Sequence, residues 1–401
     1  MSTLDGVGTY RSVLRIPGVA AAFAASLLAR LPIGAIDLVL ILRIRELGGS
    51  YASAGVVAGA FTLCNGISAP VLGRAIDRLG QTRVLIVGSA VSAAAIAAIA
   101  LLGRGVPVLA FVGLSGLAGA AMPPIGSCVR VLLVELISEA GDLHAAFALE
   151  ASSLELIFLV GPLVIVGGVA AASTQLAVGV CAVAMIGGTL AFAGTRASRR
   201  WRPAAGAPRA RAGALRSGAV RALIATFALL GTAYGAIEVT TAAFAQHHGA
   251  RHAVGPLLAL WALASLAGGV VAGRLAPAGS PTRRIALLLA AMAGGSALLV
   301  VAPSVAVLAL ALVVTGLPMA PLGAQIYALT AAVAPQGAET ESTTWLTSGI
   351  SAGFAAGSAL GGVVIGAGGT HAAYALAVAG FVAATLPVRG SGALRPALAT
   401  A

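Results

Sequence analysis

Lysine is missing from this 401-residue chain: all 24 basic residues are arginine, set against 12 acids for a formal net charge of +12. Charged residues are 9% of the total and aromatic ones 4%, where a soluble domain carries about a quarter charged residues. Too little polar surface is left to wrap a water-facing globule. Cysteine is nearly absent, and Cys64, Cys128 and Cys181 are scattered, which excludes a disulfide framework and a cysteine metal site. No phosphate-binding loop, Ser-His-Asp arrangement or zinc-ligand spacing occurs, so neither an enzyme nor an ATP-driven pump is expected, and no cofactor or metal. The few aromatics are not interleaved with the arginine runs, which argues against a nucleic-acid platform despite the charge. Missing lysine beside abundant alanine and glycine reflects a GC-rich coding sequence.

What is abundant is apolar length. Hydrophobic residues are 59% of the chain and mean hydropathy is +1.02. Runs of roughly 20 apolar residues recur, each long enough for a hydrocarbon core of about 30 Å. Their Ala, Gly and Leu content without strand-like alternation predicts helices, and hence an all-α polytopic membrane protein embedded in a bilayer. Twelve spans are expected, near 17–42, 51–72, 84–103, 106–130, 144–170, 173–194, 219–245, 253–273, 284–302, 304–330, 343–366 and 371–388. The first run carries Arg30 and Asp37 and is too long and too charged for a signal peptide. Between the sixth and seventh spans lies a basic linker, residues 195–217, with seven arginines and no acid. It divides the chain into a six-helix unit (1–194) and a second (218–390), followed by a short tail (391–401).

An even number of spans puts both termini on one side. Assigning that side to the cytoplasm places 17 arginines in the inner segments, among them Arg74, Arg78, Arg83 and Arg395. Four remain in the outer loops: Arg43, Arg45, Arg104 and Arg251. The positive-inside bias therefore predicts cytoplasmic termini, linker and tail.

The two halves also repeat. GAID at 34–37 matches GAIE at 235–238, GRAIDRLGQTR at 73–83 matches GRLAPAGSPTR at 273–283, and PPIGSCVRVL at 123–132 matches APLGAQIYAL at 320–329. The offsets are 201, 200 and 197, each at equivalent spans. Parallel six-helix repeats predict a transporter with its site between the halves.

The loop GRAIDRLGQTRVL resembles the signature of the major facilitator superfamily through Gly73, Asp77, Arg78, Gly80 and Leu85. The basic pair expected after the second glycine is replaced by Gln81, Thr82 and a displaced Arg83. The resemblance implies twelve helices as two pseudo-symmetric bundles rocking around a central cavity in a bacterial inner membrane. In the loop, Gly73 and Gly80 permit a tight turn and Asp77 can sit at a helix N-terminus. Arg74 and Arg78 are expected to pair with the acidic segment Glu135, Glu139 and Asp142. Two features are similar to the efflux branch: Gly161-Pro162 in span five, and the glycines 349, 353, 357 and 361 in span eleven, which line one helix face for close packing. The arginine usual early in span four is replaced by Val112, while Arg130 lies near that span's cytoplasmic end.

Ionisable residues inside a membrane are functional candidates. Arg30, Asp37, Glu155 and Glu238 stand out, and their depths predict an Arg30–Glu155 pair with Asp37 facing Glu238. Asp37 and Glu238 are the expected proton or cationic-cargo sites. Tyr234, Gln325 and Tyr327 are further polar candidates, Tyr327 at the repeat position of Arg130. The resulting expectation is a monomeric secondary transporter that exports small organic molecules, such as drugs or natural products, in exchange for protons. The alternatives are an importer of sugars or organic acids, with Arg30 as anion anchor, or a non-transporting receptor of the same fold.

Overall fold

The structure, a computed structural model, describes residues 5–170, 172–202, 213–250, 253–274 and 280–390. Arg209, Arg211, Arg251 and the tail 391–401 with Arg395 lie outside the described residues. All regular structure among the described residues is helical. A short helix, α1 (Asp5–Arg15), precedes α2 (Val19–Arg30), α3 (Ile36–Glu46), α4 (Tyr51–Leu79) and α5 (Gln81–Leu101). Then come α6 (Val108–Ala120), α7 (Ile125–Leu136), α8 (Ala140–Gly161), α9 (Thr174–Gly194) and the small α10 (Arg196–Arg200). The carboxyl half contains α11 (Gly218–His247), α12 (Val254–Ala272), α13 (Pro281–Val300), α14 (Val305–Gly316), α15 (Met319–Val333), α16 (Glu339–Ala383) and α17 (Thr385–Gly390).

Serine hydroxyls cap several of these helices. Ser50, Ser173, Ser217, Ser280 and Ser304 each accept a bond from the backbone N–H three residues on, satisfying donors that the helix itself leaves open. Ten helices are long and apolar enough to cross a membrane, and the bent pair α2–α3 makes an eleventh. The stretch Glu339–Gly390 runs 52 residues, about 78 Å at 1.5 Å per residue and more than twice a hydrocarbon core. It is two helices joined at Gly369, whose φ of 75° and ψ of −174° suit only glycine. Dividing it there gives twelve spans in a multi-pass membrane protein.

Several spans are broken, each for a local reason. Span one bends by 42° at Ala35, where the 3-10 segment Leu31–Gly34 that follows α2 meets α3. Span four breaks at Pro123-Pro124 between α6 and α7, and span ten, its repeat partner, breaks at Leu317-Pro318 between α14 and α15. Span five continues past α8 as a π-helical segment, Pro162–Ala170, starting at the proline that cannot donate to the ladder.

The cores are segregated by half. One cluster of the amino half centres on Phe61, Ile96 and Met185, a second on Phe23, Leu132 and Phe192. The carboxyl half has a larger cluster around Phe227, Tyr234, Trp261, Met292 and Tyr374, to which α8 adds Phe147 and Ala151. The glycines of the repeated GAID and GAIE motifs occupy equivalent crossings. A Cβ at Gly34 would stand 2.6 Å from the Ile157 carbonyl oxygen of α8, and one at Gly235 would collide with the Phe354 carbonyl of α16. Gly353 and Gly357 return that contact, against the carbonyls of Ala228 and Thr232 in α11, while Gly349 and Gly361 meet Ile224 and Val239. The glycine row therefore packs spans seven and eleven of one half together.

That packing yields a direct test. Gly353→Val forces a branched side chain into the Ala228 carbonyl and should cost about 1–3 kcal/mol, read as a lowered thermal unfolding midpoint of the purified protein. Gly55→Val, where a Cβ meets nothing within 4 Å, should leave the midpoint nearly unchanged; equal shifts would refute the packing account.

Candidate functional site

Linker residues 196–202 and 213–217, the α4–α5 turn at Gly80, the end of α12 and the start of α16 share one face of the bundle, here called the linker face. Gly80, at φ 90°, closes α4 and opens α5 in a single residue. From this face two seams join the halves. In the first, α4 packs on α16: both carboxylate oxygens of Asp77 accept backbone N–H bonds, from Thr340 at 3.1 Å and Glu341 at 2.8 Å. The carboxylate thus sits at the positive end of the α16 dipole. Arg74 reaches Glu341 at 2.6 Å, Gly73 lies against Thr340, Glu341 and Thr344, and Ser348 donates to the Gly66 carbonyl at 2.6 Å.

In the second seam α8 packs on α12. Glu155 accepts from Ser265 at 3.0 Å, Ser152 faces Gly269, and His144 lies 3.4 Å from the Ala272 carbonyl while pairing with Gln325 at 3.1 Å. Helix α1 straps this seam. The Tyr10 hydroxyl lies 3.0 Å from the carbonyls of both Gly269 and Val270, and Ser12 donates to Asp142 in the first turn of α8. Burial raises the Tyr10 pKa, so the phenol keeps its donor proton at neutral pH. Among the described residues, every hydrogen bond, ion pair and ring contact between the halves lies between the linker face and the level of Gly66–Ser348 and Glu155–Ser265. The halves are joined on that side.

Within this joined zone is a charge cluster. Glu150 of α8 takes Nη1 of Arg30 at 2.9 Å on one oxygen and Nε of Arg130 at 3.0 Å on the other. All three are almost fully buried, Glu150 at 0% exposure. Arg30 also donates to Ser153 at 3.0 Å and to the Ser26 carbonyl and hydroxyl at 3.4 Å. Arg130 lies over the ring of Tyr327 at 3.6 Å, a cation–π contact across the halves.

These positions correct several expectations. Arg30 pairs with Glu150, not Glu155, because Glu150 lies more than a helical turn nearer the linker face, level with Arg30 and Arg130. Arg74 pairs with Glu341 rather than the acidic segment 135–142: α4 presents that face to α16, while Glu135 and Glu139 are exposed and Asp142 takes Ser12. Arg78 and Arg83 are exposed. Asp37 does not reach across to Glu238; it accepts from Thr62 of its own half at 3.1 and 3.2 Å. Thr62 lies one turn beyond Gly66 on the α4 face turned to α16, so Asp37 stands just above the closed seam. Glu238 is exposed on α11. Tyr234 is packed edge-on between Trp261 and Phe381, a core position rather than a cleft one. Gly161 is pressed against Leu31 and Gly34 of span one, and Pro162 opens the π-helical segment.

Removing the shared acid tests the cluster. Glu150→Gln leaves two buried guanidinium groups without a counter-charge and should cost about 3–5 kcal/mol, seen as a large fall in unfolding midpoint. Arg78→Ala, at an exposed position of α4, should leave it nearly unchanged. Comparable losses in both variants would contradict the assignment of the buried cluster as the structural anchor.

Among curated proteins none matches the chain. Solved structures share its architecture. A bacterial homologue of the iron transporter ferroportin in an outward-facing state aligns with a TM-score of 0.75 at 15% identity, covering 93% of this chain and 98% of that one. The human organic anion transporter MFSD10 (TETRAN) aligns at 0.71 and 16% identity, covering 92% and 98%. A variant of the Escherichia coli fucose:proton symporter FucP aligns at 0.68 and 15%, covering 93% and 98%. At these identities the likeness concerns the fold. The family model described as Major Facilitator Superfamily matches residues 20–305, and on that match the chain belongs to this superfamily of transporters.

Proposed function

We propose that the protein exchanges protons for a small organic solute by alternating access, acting as an exporter in a bacterial inner membrane with the linker face in the cytoplasm. The units 1–194 and 218–390 are the moving halves, and the state described is closed to the cytoplasm and open outward. The observation that carries this reading is a division of labour among the charges in the spans. The arginines Arg30 and Arg130 are ion-paired. Among the described residues the carboxylates Asp37, Glu155 and Glu238 have hydroxyl partners or none. A carboxylate without a cation beside it is the group that gains most from taking up a proton when it leaves water.

In the outward state Asp37 and Glu238 meet external water above the seams and Glu155 sits at their upper edge. Protonation removes the charge that opposes closing the outer half. Opening the cytoplasmic side requires breaking Asp77 from α16, Arg74 from Glu341, Tyr10 from α12 and Glu155 from Ser265. The last rupture frees the Glu155 carboxyl to release its proton inward, so gate opening and deprotonation are coupled at one residue.

Proteoliposomes with an imposed pH gradient and a panel of fluorescent organic probes of either charge test this. Glu155→Gln and the double variant Asp37→Asn/Glu238→Gln should each lose gradient-driven probe movement at least tenfold while keeping solute counterflow without a gradient. Gradient-driven transport at the native rate in both would sink the proposal.

A further inference from the structure

We propose that Gly126, with Arg130 and Arg30, forms an oxyanion subsite between the halves, below the upper edge of the seams, that takes the carboxylate, sulfonate or phosphate group of the transported solute. The inference rests on the transport reading above and adds the substrate's chemical class. Four observations meet there. First, the cluster is unbalanced: two guanidinium groups share one carboxylate, leaving a net positive charge. The acids nearby are committed, Asp77 to the backbone of α16 and Glu341 to Arg74.

Second, Arg130 is only 3% exposed, yet only Nε has a hydrogen-bond partner among the described residues; Nη1 and Nη2 have none. Neither nitrogen is among the fully buried side-chain atoms that lack a partner, so both keep contact with solvent and are open to an added acceptor. Third, those nitrogens converge on the space over Gly126. A Cβ at residue 126 would stand 3.7 Å from both Nη1 and Nη2 of Arg130 and 3.2 Å from Nη1 of Arg30. The Nη tips of both arginines thus come together within a short side chain's reach of the Gly126 backbone. Gly126 is not among the positive-φ glycines, so its backbone does not demand glycine; the space beside the arginines is what a side chain would remove. Fourth, Gly126 is the second residue of α7, whose N-cap, Pro124, offers neither a donor nor a side-chain cap. The helix end adds open N–H groups and a positive dipole end.

The slot borders the contact between the halves. Gly126 is partly exposed, and Arg130 carries Tyr327 of the opposite half on its face. A bound anion would therefore touch the contact that must part when the halves rock.

The test is equilibrium binding to the purified full-length protein by titration calorimetry, without any gradient. The probes are 2-naphthalenesulfonate, 2-naphthoate, inorganic phosphate and, as the cationic control, 2-naphthylmethylammonium. At least one anion should bind tenfold or more tighter than the amine, and Gly126→Ala should weaken it about tenfold, with Gly126→Ser at least as damaging. Arg130→Gln should abolish it; where that variant does not fold, the two glycine variants decide. Amine binding as tight as every anion, or anion binding unchanged by both glycine substitutions, overturns the subsite. Anion binding without gradient-driven flux would defeat the coupling proposal alone, whereas gradient-driven flux of cationic probes without anion binding would defeat this one alone.

Discussion

The sharing of Glu150 by Arg30 and Arg130 is the interaction on which the amino half depends. Three charges in membrane-spanning helices would each be prohibitive alone. Joined at 2.9 and 3.0 Å, they tie spans one, four and five at one depth. Around that knot the chain can break. Span one turns 3-10 at Leu31–Gly34 just beyond Arg30 and bends at Ala35, and span four breaks at Pro123-Pro124 just before Gly126. The knot holds the ends that the breaks leave loose, and the Tyr327 ring on Arg130 extends it to the other half.

The two seams show how a duplicated architecture tolerates divergence. In the first repeat the loop after span two supplies Asp77 and Arg74 to the start of α16. At the matching position of the second repeat Pro277 stands where the first has Asp77, so no acid is available to hold α8 in the same manner. Helix α1, which lies outside the repeats, contributes there instead: Tyr10 binds the end of α12 and Ser12 the first turn of α8. The closed face is therefore fastened by a charge at a helix dipole on one seam and by neutral hydroxyls on the other. Salt should weaken the exposed Arg74 contribution to the first more than it weakens the second.

Helix class, twelve spans and the family are legible in the sequence, because apolar run length and the loop glycines are local signals. The pairing of charges is not. Depth alone matches Arg30 to Glu155, but Glu150 lies in the same run and, counted from the linker face, falls as far into α8 as Arg30 does into α2, to within one residue. That comparison exposes the cluster. Glu341 and His144 are hidden for another reason: both act across the halves, and which faces meet depends on how the two bundles close. The glycine row of span eleven is visible as a pattern, whereas its partner, span seven, is not, since periodicity shows a face and never what covers it.

The proposed anion slot between arginines and the proposed proton sites on separate carboxylates have a joint energetic consequence. Under the proposed orientation, one proton moving inward while one monoanion moves outward carries two elementary charges in the same sense. Each is worth about 2.3 kcal/mol per 100 mV, so at that potential the two supply nearly 5 kcal/mol, a gradient on the order of a thousandfold at 1.4 kcal/mol per decade. A monovalent cation exchanged for one proton would draw nothing from the potential. The geometry favours keeping the two charges apart: Asp37 stands above the seam with Thr62, while Gly126 and Arg130 lie below its upper edge, nearer the linker face. Binding of anion and proton can then alternate without either neutralising the other's site, which is what an exchanger driven by both components of the gradient requires.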